Sequence, residues 1–82
     1  MNAIQSLERA VLSALPKTNA ILRRPRDPAG QWWFDAKLGS AIVTVSWSPG
    51  EPFIVSMNDG AAEPCDSLDK ATGMVIRLLS PG

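Results

Sequence analysis

Three runs of β-type residues between Gln31 and Met57 constrain the fold of this chain more than any other feature. Two strong turn signals separate the runs, Gly39-Ser40 and then the segment 48–52, and the region contains all three Trp and both Phe residues. A two-residue loop that begins with Gly is typical of a type II′ hairpin turn. The pattern therefore predicts an antiparallel meander of three strands in the middle of the chain.

Aligning the three runs on these turns divides their side chains into two faces. One face is apolar throughout and contains Trp32, Phe34, Ala36, Val43, Val45, Trp47, Phe53, Val55 and Met57. The other face contains Trp33, Asp35, Lys37, Ile42, Thr44, Ser46, Ile54, Ser56 and Asn58. A slip of one residue would mix the two sets, so their clean separation supports this register.

An amphipathic helix precedes the strands and another follows them. Ile4, Leu7, Val11, Ala14 and Leu15 recur at helical spacing near the N-terminus. Asn2 and Gln5 have the form of a capping box, and Pro16 ends the helix. The second helix is expected from about Ser67 to Leu79, with Asp66 as its N-cap and Asp69 in its first turn. Its apolar stripe is Leu68, Ala71, Val75, Leu78 and Leu79.

The segments between these elements are less regular. Residues 20–24 form a possible short strand, the prolines and glycine of residues 25–30 predict a loop, and residues 58–64 predict another loop. The whole chain, residues 1–82, is thus expected to form a single α+β domain. It is a two-layer sandwich in which a helix, a three- or four-stranded antiparallel meander and a second helix follow one another, with both helices on one face of the sheet.

Composition limits the chemistry that we expect. The chain has no His and no Tyr, which removes the commonest general base and metal ligand, and its one cysteine excludes a zinc site of several Cys or His ligands. Asp35 is expected to be a solvated surface charge, Asp66 and Asp69 to cap the second helix, and Cys65 to be an ordinary half-buried thiol. We therefore expect no enzyme, no cofactor and no bound metal.

The expected compartment is the cytoplasm. A single cysteine allows no internal disulfide, which fits a reducing environment. The N-terminus lacks a basic region followed by a continuous apolar stretch, and the apolar runs elsewhere are too short to span a membrane.

Two features suggest a binding function. Trp33, Ile42 and Ile54 share the sheet face that the helices leave open, and Leu22 would join them if the first strand pairs with the second. Apolar groups on such a face usually mark an interface. Equally, Trp33 could lie flat over its neighbours or be covered by the loop at residues 25–30. The alternative is weak nucleic-acid binding through Arg23, Arg24 and Arg26, the only basic cluster, with Trp33 stacking on a base. Charge is uneven as well, because residues 1–40 carry six basic and three acidic side chains and residues 41–82 carry two and five.

The sequence also resembles a known class of domain. The run from Trp32 to Ala36, the run from Val43 to Phe53 and the Ser-Leu-Asp-Lys-Ala segment that enters an aliphatic helix are similar to small domains attached to some bacterial helix-turn-helix regulators. The resemblance covers about residues 31–79. Only one helix precedes the strands here, so the DNA-reading helix pair of those regulators is lacking. The resemblance implies a regulatory or interaction module, and it does not imply DNA binding by this chain.

Overall fold

The computed structural model of the protein describes residues 2–27, 29–58 and 60–80, which form two helices and five strands. In chain order these are α1 (Ala3–Ala14), β1 (Asn19–Arg23), β2 (Trp32–Leu38), β3 (Ala41–Trp47), β4 (Phe53–Met57), β5 (Glu63–Cys65) and α2 (Leu68–Leu79). The strands form one antiparallel sheet in the order β1-β2-β3-β4-β5, so each strand lies beside its neighbours in sequence.

Helix α1 begins at the capping box that its sequence predicts. The Gln5 N–H donates to the side-chain oxygen of Asn2 at 3.0 Å, and the Asn2 N–H donates to the side-chain oxygen of Gln5 at 2.9 Å. These bonds satisfy amides that the first turn of a helix leaves without partners. The helix ends at Ala14, two residues before Pro16.

The apolar stripe of α1 is confirmed over most of its length. Ile4, Leu7 and Val11 are fully buried, and Leu15, which caps the helix, is half-buried against the core. Ala14 is exposed, so its assignment to the stripe was wrong. Ala14 is the last residue of the helix and lines a groove that is open to solvent.

The predicted register of the central meander is confirmed. The pairs on its helix side are Trp32 with Trp47, Phe34 with Val45, Ala36 with Val43, Val45 with Val55 and Val43 with the half-buried Met57. Gly39 has a φ of +62°, and Ser40 is not among the described residues with a positive φ. A positive φ at the first of the two turn residues alone is typical of a type II′ turn. The next turn brings Trp47 and Phe53 together, with ring centroids 5.9 Å apart.

Two strands lie outside the central meander. The possible first strand is real, and β1 pairs with β2 so that Leu22 lies opposite Phe34 on the helix side. The expectation that Leu22 joins the open face was therefore wrong. Strand β5 was not predicted, because Glu63-Pro64-Cys65 is short and contains a proline; it forms by pairing with β4. The sheet accordingly has one strand more than the three or four expected.

Helix α2 begins at Leu68, one residue later than predicted, and its N-cap differs from the predicted residue. The N-cap is Ser67, whose Oγ accepts the Lys70 N–H at 3.2 Å, and not Asp66. Asp66 instead forms an ion pair with Lys70, with 3.4 Å between carboxylate oxygen and Nζ. Asp69 lies in the first turn, as expected.

Both helices pack against one face of the sheet, and this confirms the predicted two-layer α+β arrangement. Each helix contacts the other and the sheet, α1 over β1 and β2 and α2 over β2 to β5. The core consists of Ile4, Leu7, Val11, Trp32, Phe34, Ala36, Val43, Val45, Trp47, Phe53, Val55, Cys65, Ala71, Val75 and Leu79. Neither described helix has the length and apolar character needed to cross a membrane.

Candidate interaction surface

The sheet face away from the helices carries the candidate site. Because side chains alternate along a strand, the register fixes which residues share this surface. We define the open face as Ile21, Arg23, Trp33, Asp35, Lys37, Ile42, Thr44, Ser46, Ile54 and Ser56. The strands hold these side chains in rows, so the surface is organised by backbone pairing and not by a mobile loop.

Exposed apolar groups concentrate on the open face. Among the described residues, three large hydrophobic side chains are exposed: Ile21 at 65%, Ile42 at 44% and Trp33 at 37%. All three belong to this face. Of the predicted set, Trp33 and Ile42 are exposed as expected, while Ile54 is on the same face but half-buried.

Ile21 is the functional candidate that sequence reasoning missed. It lies opposite Asp35 in β1, and its side chain is the most exposed of the three. The sequence contains the necessary signal, because placing Leu22 with the core opposite Phe34 puts Ile21 on the open face. That step requires β1 to be registered against β2 across a long loop, where no short turn sets the pairing.

Trp33 is partly covered by a neighbouring arginine. The Arg23 guanidinium lies over the indole, 5.6 Å from the ring centroid, and Arg23 and Trp33 are direct cross-strand partners. On the other side Trp33 faces Ser46, which is buried although it lies on the open face. Arg23 and the neighbouring strand thus cover part of Trp33, which still offers more than a third of its surface to solvent.

Polar groups in the middle of the open face satisfy one another. Arg23 Nη2 lies 2.8 Å from Asp35 Oδ2, and Thr44 Oγ1 donates to Asp35 Oδ1 at 3.2 Å. Asp35 is thus an ion-paired and hydrogen-bonded carboxylate, not the freely solvated charge that was expected. A partner covering this region would not leave the carboxylate without hydrogen bonds.

The predicted basic cluster does not form one patch. Arg23 lies on the open face, whereas the Arg24 guanidinium lies 5.9 Å from the ring centroid of Trp32, a residue of the helix-side core. Arg26 is exposed in the loop that follows. Consecutive residues of an extended chain point to opposite sides, so the three charges are distributed around the end of β1.

Cys65 lies at the other side of the sheet, under α2. Only 5% of it is exposed, and its Sγ lies 3.8 Å from Met74 Sδ. Burial raises the pKa of the Cys65 thiol above its ordinary value, and the charges of Glu63 and Asp66 raise it further. The thiol is buried, not half-buried as expected, and protonated near neutral pH. Within the described residues, no three His, Cys, Asp or Glu side chains are grouped as metal ligands would be.

An apolar groove lies at the opposite end of the molecule from Arg23. It is bounded by the last turns of both helices and the β2–β3 turn, has a volume of about 830 Å³ and is open to solvent. Its lining includes Leu15, Leu38, Met57 and Leu78. The groove has few polar groups to orient a small molecule, which specific ligand sites normally supply.

Comparison with models of known protein families, with functionally characterised proteins and with solved structures finds no significant match for this chain.

Proposed function

We propose that this protein is a small non-enzymatic interaction or regulatory module, and that the open face of its sheet binds a protein partner or a second copy of the chain. One observation carries the proposal: all three of the exposed large hydrophobic side chains among the described residues lie on that face. Scattered apolar residues are normal on a protein surface, but their restriction to one face of a sheet is typical of a contact surface.

The size of the exposed apolar groups fits a modest affinity. Complete burial of a large apolar side chain contributes about 1.5–3 kcal/mol, and Ile21, Trp33 and Ile42 are each roughly half exposed, so burying the remainder contributes on the order of 1 kcal/mol each. Trp and Arg are the side chains most enriched at the energetic centre of interfaces, and Trp33 with Arg23 forms such a pair here. We infer a reversible contact, not an obligate one.

Residue chemistry supports a function other than catalysis. The chain has no His or Tyr, and the raised pKa of Cys65 makes its thiol a poor nucleophile at neutral pH. Asp35 is occupied by Arg23 and Thr44. We place the protein in the cytoplasm as part of this proposal, because its single buried cysteine suits a reducing compartment.

Site-specific photo-cross-linking in the cells that make the protein tests the proposal. A photoreactive side chain replaces Ile42 on the open face, and in a matched control it replaces Ser13, which is exposed on α1. We expect defined adducts at position 42 and none at position 13. Adding Trp33→Asp to the position-42 protein should remove the adducts while circular dichroism shows an unchanged fold. Adducts that are equal at both positions, or absent from position 42, would contradict the proposal.

Weak nucleic-acid binding is the second candidate. The position of Arg23 over the Trp33 ring favours it, because aromatic side chains combined with basic groups are typical of single-strand binding. It predicts retention on single-stranded DNA that falls with salt and is lost when Arg23, Arg24 and Arg26 are replaced by Ala. Absence of retention at low salt removes this candidate.

A further inference from the structure

The two edges of the sheet differ in their ability to accept another strand. In the β2–β3 hairpin, the residues that flank the two-residue turn exchange hydrogen bonds, and the bonding direction alternates from there along each strand. The Asn58 N–H donates to the Ile42 carbonyl at 2.8 Å, toward β4, as this alternation requires. The same alternation directs the amides of Ile21 toward β2 and those of Ala20 and Leu22 away from the sheet.

The opposite edge is blocked. The same alternation, followed from Ile42 into β4, directs the amides of Phe53 and Val55 toward β5. There Phe53 pairs with Cys65 and Val55 pairs with Glu63. The middle residue of β5, Pro64, therefore occupies the position whose N–H would point outward, and proline has none. Proline on an outer strand is a common means of preventing further pairing. Strand β1 contains no proline, so it is the edge at which another strand can add.

We propose that β1 pairs with β1 of a second copy of this chain, antiparallel about a two-fold axis at Ile21. In this register Ala20 of each copy lies opposite Leu22 of the other, and these are the two residues whose amides point outward. Each such pair exchanges two backbone hydrogen bonds. The two Ile21 side chains then meet directly across the axis on the open face, and this contact covers the most exposed hydrophobic group of the described residues.

The second copy is the occupant that fits because the strand is complementary to itself. A two-fold register centred on Ile21 is the only one that meets two conditions. It pairs outward-pointing amides with outward-pointing amides, and it places the exposed Ile21 side chain against an equally large apolar side chain. Arg23 would face the uncharged Asn19 of the second copy, so no charged side chain lies directly opposite its guanidinium. Arg23 retains its ion pair with Asp35 of the same copy. Pro16 and Pro25 flank β1 and limit the pairing to this segment.

The inference concerns the edge of the sheet and goes beyond the proposed function, with which it shares only Ile21. Sedimentation velocity of the full chain from about 5 to 500 µM tests it. We expect a concentration-dependent dimer in the unmodified protein. Ala20→Pro removes an outward-pointing N–H and leaves the hydrogen bonds between β1 and β2 intact. Ile21→Lys brings two positive charges together at the axis. Both variants should be monomeric with unchanged circular dichroism. A protein that is monomeric throughout this range overturns the inference.

A disulfide test covers the case in which a β1 variant fails to fold. Residues directly opposite in a non-hydrogen-bonded antiparallel pair have Cα atoms about 4.5 Å apart, within the range that a disulfide spans. Ile21→Cys in a Cys65→Ser background should therefore oxidise to a covalent dimer. Ile42→Cys in the same background is the control, because five strand spacings, about 24 Å, separate the two sites in the proposed dimer.

The two arms also separate this inference from the proposed function. If Ile42→Cys cross-links and Ile21→Cys does not, copies associate face to face, and the open-face proposal stands while the edge pairing is wrong. If Ile21→Cys alone cross-links, the edge pairing is supported whatever the photo-cross-linking at position 42 shows. Cross-linking at neither position overturns the edge pairing.

Discussion

At the scale of single residues, Trp32 and Trp33 show how position alone assigns different tasks to identical side chains. Trp32 is buried on the helix side, and Trp33 lies next to it on the open face under Arg23. The alternation of a strand causes this difference, since consecutive side chains point to opposite faces. Trp32 therefore contributes to the free energy of folding, while Trp33 is available for contact with another molecule.

The buried thiol of Cys65 leads to a prediction about pH. Its pKa is raised from an ordinary value of 9.0 by burial first and by Glu63 and Asp66 second. In the unfolded chain the thiol loses its proton at lower pH than in the folded protein, so the folded state binds more protons and stability falls as pH rises. We expect the free energy of unfolding to decrease more steeply above pH 9 in the unmodified protein than in Cys65→Ala.

Urea unfolding at pH 7, 9 and 10 measures this difference. The Cys65→Ala comparison removes the contribution of lysines, and the chain has no tyrosine to titrate in the same range. The folded thiol should also react with a disulfide reagent at pH 8 far more slowly than the thiol in denaturant. Equal slopes in the two proteins, together with rapid labelling of the folded thiol, would show that Cys65 is not held protonated by its surroundings.

At the scale of elements, local sequence signals predict structure well, but they do not predict strand pairing between distant segments. The capping box of α1 and the register of β2 with β3 were predictable, because Asn2 with Gln5 and Gly39 with Ser40 act over two or three residues. The N-cap of α2 and strand β5 were not, because a short Glu-Pro-Cys segment becomes a strand only through β4. Once β5 extends to Cys65, the cap moves from Asp66 to Ser67.

Two glycines separate helix propensity from turn geometry. A Cβ at Gly73 in α2 would meet no atom within 4 Å, and the same is true at Gly39, but Gly39 has a φ of +62°. Gly73→Ala should raise the free energy of unfolding by about 1 kcal/mol, because alanine is the better helix former. Gly39→Ala should lower it by about the same amount, because an L-residue is strained at positive φ.

Thermal unfolding measures both changes. A stabilisation of 1 kcal/mol corresponds to roughly 4–8 °C in Tm for a domain of this size. Because the new methyl group contacts no neighbour at either site, opposite changes in the free energy of unfolding would be caused by the backbone alone. A loss of stability in Gly73→Ala would contradict this prediction, because no atom lies within 4 Å of the added methyl group.

At the scale of the whole molecule, the strand order converts a charge imbalance in sequence into one in space. Basic residues gather around β1, among them Lys17, Arg23, Arg24 and Arg26, while Glu63, Asp66 and Asp69 lie around β5 and the start of α2. The sequence predicts the imbalance, but only the sheet order shows that the two signs lie at opposite edges. Likewise, the open face was predictable from β2 to β4, and Ile21 was added by the pairing of β1.

This separation gives the proposed dimer an unusual salt dependence. Pairing at β1 brings two basic edges together, so their repulsion opposes association and salt screens it. We expect the dissociation constant of the dimer to fall several-fold as NaCl rises from about 0.05 to 0.5 M, because the screening length shrinks to a few ångströms over this range. Sedimentation at three salt concentrations measures it. Association between the basic edge of one copy and the acidic edge of another would weaken with salt instead.

The proline in β5 sets a limit on how far such an assembly can grow. After two copies join at β1, the outer strand at each end of the combined sheet is a β5 whose central residue is Pro64. Neither end offers the amide that a third copy would require, so the assembly closes at ten strands. A chain with two open edges would polymerise into a filament; this one stops at a pair and keeps both open faces on the same side, as a single doubled platform.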